Sequence, residues 1–195
     1  MLKTINAPGG WMLGLFLGCL SASCQAAGSI TATEEESGLA SWEWRHAGVS
    51  VKLVQRLPDQ TRAFFLGRGF IPTQADEIAA ACVFQTIFRN DGQLPVAFDL
   101  DEWHLTHQGQ ALPLQTREHW EKHWRQRDVG QAARIALRWS LLPTRQAFAP
   151  GDYNWGMSSF GLPPGRAFDL ALKMTIGGET IVAKIPGIVC AADRS

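Results

Sequence analysis

His119 and His123 stand four residues apart in the run TREHWEKHWRQR, residues 116–127, where residue type and spacing suit a metal ion. On a helix that interval puts both imidazoles on one face, able to chelate one ion, with Glu118 or Glu121 adding an oxygen. The order His119-Trp120-Glu121-Lys122-His123 is not the H-E-x-x-H of metalloproteases, so no hydrolytic zinc centre is implied. His104 and His107 are a second pair. In a strand, three-residue spacing sends them to opposite faces, so only one of them could join the helical pair, with Met157 as a soft ligand. A His/Met set in an exported chain would suit copper, and histidines without the thioether would suit zinc. The alternative is that these histidines are solvated neighbours of buried tryptophans and that the chain uses no cofactor.

Other candidate chemistry is weaker. Gly156-Met157-Ser158-Ser159-Phe160-Gly161 misses the G-x-S-x-G nucleophile elbow by one residue, and a strand-rich stretch follows where a helix is required. Gly67-Arg68-Gly69 lacks the third glycine and the helix start of a phosphate cradle, and reads as a loop. Asp99, Asp101 and Glu102 could bind calcium or could edge a solvated loop. Tryptophans at 42, 44, 103, 139 and 155 fit core packing, and any that stands exposed marks a partner surface.

These residues must be carried by strands and by two helices. Val49/Val51/Leu53, Ile135/Leu137/Trp139, Phe168/Leu170/Leu172/Met174 and Ile181/Ala183/Ile185 alternate with mostly smaller or polar neighbours, the period of a half-buried strand. Pro58-Asp59-Gln60 and Asn90-Asp91-Gly92-Gln93 read as turns between strands, and Gly177-Gly178 as a hairpin turn. Thr73 to Ala81 reads as a short helix with an N-cap at Thr73. Residues 116–127 form a longer amphipathic helix that packs Trp120 and Trp124 on a sheet, with Glu118–Lys122 and Glu121–Arg125 as i,i+4 pairs.

The N-terminus supplies the address. Lys3, the apolar run Trp11 to Leu20 and the small-residue stretch Ser21 to Ala27 read as a secretory signal peptide over residues 1–26, cleaved after Ala26. The alternative is a lipoprotein acylated at Cys24, the only route to a membrane that this sequence offers. Residues 27–40 are polar and acidic and read as a flexible lead-in, leaving 41–195 as a single domain. Cys82 and Cys190 then remain; two cysteines in an oxidising compartment most often pair, and the rival is a pair of free thiols serving as metal or redox ligands, for which no C-x-x-C is present. With 18 basic and 18 acidic residues, nothing marks a nucleic-acid partner.

The stretch CVFQTIFRNDGQLPVAFDLDEWHLTHQGQALPL resembles the middle of bacterial extracytoplasmic immunoglobulin-like domains: a strand ending in Asn90, a turn, then a strand with an F-x-x-x-x-W pattern before a polar hairpin. APGDYNWGMSSFGLPPGRAFDLALKM is similar to their Gly-led strand followed by an apolar strand. The resemblance implies an immunoglobulin-like β-sandwich, to which the helices are additions, and an accessory or binding role. The resulting expectation is a periplasmic or secreted, non-catalytic protein of the cell envelope that acts through a protein partner. Copper or zinc handling is the alternative, and an exported hydrolase is a third class with no motif to carry it.

Overall fold

A computed structural model describes residues 28–193. The signal peptide and its lipidation alternative therefore lie outside the described residues. In chain order come strands β1 (Ser29–Glu34), β2 (Ala40–His46) and β3 (Val49–Gln55), then helices α1 (Pro58–Leu66) and α2 (Pro72–Ala79). Next are β4 (Val83–Asn90), β5 (Val96–Asp99), a 3-10 turn (Leu100–Glu102), β6 (His104–His107) and β7 (Gln110–Pro113). Helices α3 (Arg117–Arg125) and α4 (Gln131–Ser140) precede β8 (Arg145–Phe148), β9 (Tyr153–Ser159), β10 (Ala167–Ile176) and β11 (Glu179–Val189).

The described residues are mostly β, with two antiparallel sheets and four helices. The first sheet runs β1-β2-β3-β4-β9. In the second, β10 pairs with β11 along one side and with β5 and β6, end to end, along the other, and β8 and β7 extend these two. Alternation decides which side chains face inward. Trp42, Trp44, Val51, Leu53, Phe84 and Phe88 of the first sheet meet Phe98, Leu105, Phe148, Leu170 and Ile185 of the second in one core. Phe88 stacks on Phe148 at 4.6 Å and lies 5.0 Å from Phe98, joining the sheets through aromatic contacts. Buried Asn90 organises the link between the sheets: its Nδ2 donates to Leu94 O (2.9 Å), and its Oδ1 accepts from Gly92 N (3.2 Å).

The four helices cover one end of the outer face of the first sheet. Phe65, Phe70, Ile78, Trp120, Trp124 and Leu137 pack there against Val83 and Met157 in a second core. Trp120 and Trp124 stack at 5.6 Å, as their four-residue spacing requires, and Trp120 Nε1 donates to Ser159 Oγ (2.8 Å).

The Cys82–Cys190 disulfide forms as expected, with Cα atoms 5.1 Å apart, closing a separation of 108 residues. It joins the start of β4 to the end of β11, and it points to an oxidising, extracytoplasmic environment. Among the described residues, no helix is long and apolar enough to cross a membrane.

Several expectations need correction. Residues 134–139 are helical, within α4, because Ala133, Leu137 and Leu141 are the residues that bury, four apart. Pro58 opens α1 rather than a turn between strands: proline is tolerated at the first helical position, and Gln60 Oε1 accepts from Leu57 N at 3.2 Å. Helix α2 starts the same way, with Pro72 in its first turn and Gln74 Oε1 accepting from Ile71 N, so the N-cap is Ile71 and not Thr73. Thus there are four helices where two were expected. Within the stretch read as a lead-in, Ser29–Glu34 pairs with β2 as the exposed edge of the first sheet.

Candidate functional site

On the outer face of the first sheet, the helices stop short of the end of β9. The register of β4 with β9 sets Gln85 opposite Met157, Ile87 opposite Trp155 and Arg89 opposite Tyr153, all pointing away from the inter-sheet core. Met157 is covered by the helices, whereas Trp155 is 63% exposed and Tyr153 61% exposed. Helix α4 runs alongside. It buries Ala133 and Leu137 and turns a second stripe, Ile135 and Trp139, outward, with Trp139 79% exposed.

Between α1, α4 and the sheet lies a cleft of about 640 Å³. Trp139 and Ser140 line one side, Phe64 and Arg68 another, and Gln85, Trp155 and Met157 come from the sheet. Arg56 enters from the loop between β3 and α1. Both guanidiniums lie against Phe64, with Cζ 3.2 Å from the ring centroid for Arg68 and 5.6 Å for Arg56. Burial and the neighbouring Arg68 charge lower the Arg56 pKa from its ordinary value. Its Nε is buried and has no hydrogen-bond partner.

Gly156 sets the position of α4 relative to β9. A Cβ there would come within 2.6 Å of Leu142 N, so only glycine lets the segment leaving α4 cross the strand this closely. Leu142 N then donates to Met157 O (2.8 Å), capping the strand edge beside the cleft.

The histidines are placed differently. His119 and His123 share a face of α3, their rings parallel and 6.2 Å apart. His123 Nε2, however, lies 2.7 Å from Glu77 Oε1 on α2. His104 and His107 lie on β6 of the other sheet, where their Nδ1 atoms contact Glu102 O (3.1 Å) and Ala167 O (2.8 Å). Met157 belongs to the helical core. Among the described residues, no group of three or more His, Cys, Asp or Glu side chains is arranged to hold a metal ion.

Asp99 and Asp101 both pair with Arg145, at 2.6 and 2.8 Å, and Glu102 pairs with Lys173 at 2.5 Å, so internal cations engage these carboxylates. Ser158 and Ser159 are buried: the first bonds the Thr86 hydroxyl (2.6 Å), and the second accepts from Trp120 and donates to Gln115 O (3.1 Å). Gly67-Arg68-Gly69 is the connection from α1 to α2.

Sequence reasoning missed the cleft as a unit. The available signal was Trp139 and Ile135 on the face of α4 opposite Leu137, visible only once residues 131–140 are read as a helix. No protein-family model, curated protein or solved structure matches this chain.

Proposed function

We propose that this chain is an exported, non-catalytic binding or accessory protein of the bacterial cell envelope, directed there by residues 1–26, and that it docks a protein partner at the cleft between α1, α4 and β9. The frame that presents the cleft is read as an immunoglobulin-like sandwich carrying added helices. The observation that carries the function is the pair of exposed tryptophans, Trp139 and Trp155, on two elements facing one concavity. Large aromatic side chains left in water cost solvation free energy, and they concentrate at interface hot spots because partner burial recovers it.

The test is site-specific photo-crosslinking in cells. A photoreactive amino acid replacing Trp139 should yield one discrete protein adduct, and the same residue at Lys184, on the remote strand β11, should not. Equal adducts at both positions, or none at Trp139, would remove the docking assignment.

A further inference from the structure

The charge around the cleft selects its occupant. The chain as a whole is neutral, with 18 basic and 18 acidic residues, yet no carboxylate lines the cleft, and two arginines do. Arg68 is exposed and rests on Phe64, whose ring lies under its guanidinium and whose carbonyl accepts from Nη1 at 3.0 Å. Arg56 keeps a buried, unpartnered Nε. At the other end of the same sheet face, Arg89 lies over Tyr153 at 5.3 Å and keeps a long 3.5 Å pairing with exposed Asp91. Cationic groups therefore flank an apolar stretch formed by Trp139, Trp155 and Ile87.

Two backbone groups of the strand edge are already engaged there. Trp155 N donates to the Asn154 side chain (2.8 Å), and Met157 O accepts from Leu142 N, so a ligand strand would find these groups satisfied. A partner must lie across the face and be read through its side chains. Gln85 and Arg89 are four residues apart on β4, about 13 Å at strand rise, the span from the first to the fifth residue of an extended peptide.

We infer that the cleft binds an extended acidic segment of a partner protein, with carboxylates at positions one and five and an aromatic or branched apolar side chain at position three. The first carboxylate meets Arg56 and Arg68, the apolar side chain enters between Trp139 and Trp155, and the second carboxylate displaces Asp91 from Arg89. This assignment rests on the docking role proposed above. Guanidinium–carboxylate pairs against aromatic walls, partly shielded from water, are stronger than exposed ion pairs.

The probes are acetyl-Glu-Ser-Phe-Ser-Glu-amide and its twin with Gln in place of Glu, titrated into the mature oxidised protein and followed by tryptophan fluorescence. The acidic peptide should bind saturably with a Kd below about 1 mM and at least about tenfold more tightly than the Gln peptide. R68Q, a change at an exposed side chain, should remove most of that difference, and R56K should retain part of it. W139A should weaken both peptides. Raising the salt concentration should weaken only the acidic one. Equal binding of the two peptides overturns the acidic assignment while leaving the docking cleft in place. No saturable binding of the acidic peptide to the folded protein overturns the inference, as does Arg68-dependent binding of an oligogalacturonate in preference to the peptide. In both cases the crosslink at Trp139 reports independently on whether a protein partner docks.

Discussion

His119 shows how a single side chain couples stability to pH. Burial, then the nearby His123 and Lys122 charges, lower its pKa from the ordinary histidine value. The unfolded chain therefore takes up a proton before the folded one does. The stabilising contribution is complete above about pH 6.5 and is lost as pH falls below that toward the folded-state pKa. Melting temperature should drop between pH 7.5 and 5.5, and His119→Asn should flatten that drop. An unchanged slope in the variant would assign the pH dependence to other groups. The spacing of His119 and His123 correctly put both on one face, but spacing cannot show that Glu77, more than forty residues earlier, reaches His123. A side-chain contact between separate elements leaves no local trace in the sequence.

At the scale of elements, α4 decides whether the cleft exists. Alternation and helical periodicity compete in RIALRW, because Ile135 and Trp139 are apolar yet face outward while Leu137 is buried. A strand would place Ile135, Leu137 and Trp139 on one face, whereas a helix separates Leu137 from the other two. Leu137→Ala should therefore destabilise by about 2–5 kcal/mol, measured by urea unfolding. Trp139→Ala should stay within about 0.5 kcal/mol, since its side chain is mostly in water. Similar losses at both positions would contradict the helical burial. Gly156→Ala should also be costly, by about 1–3 kcal/mol, because the added methyl meets backbone rather than a flexible side chain. Strands β3, β10 and β11, the Gly177-Gly178 turn and helices α2 and α3 were legible because each carries a local pattern strong enough to stand alone. Helix α1 was not, since Pro58-Asp59-Gln60 serves equally as a turn or as a first helical turn. What distinguishes them is the burial of Phe65 against Phe70, which packs in turn on Trp124 of α3.

For the whole molecule, the Cys82–Cys190 disulfide cross-links the two sheets. The chain-entropy account gives about 4–5 kcal/mol for a loop of this length, an upper figure from which native strain subtracts. Replacing both Cys82 and Cys190 with serine, or reducing the bond, should lower the unfolding free energy measured in urea by no more than that amount. Coincident unfolding of the oxidised and reduced protein would show that the bond contributes no net stability.

The sequence by itself determined the β-rich class, the paired cysteines, the amphipathic α3 and the alternating strands that bury the central core. These follow from periodicities of two and 3.6 and from cysteine count, which are properties of neighbours along the chain. Only the tertiary structure decided that α4 is a helix, that β1 closes an edge, and that Trp139, Trp155, Arg56 and Arg68 meet around one cleft. Those residues come from two loops, a helix and a strand separated by up to 99 positions. Whether an aromatic side chain becomes core or surface depends on which elements pack over it, and that is settled by the competition for burial across the whole fold.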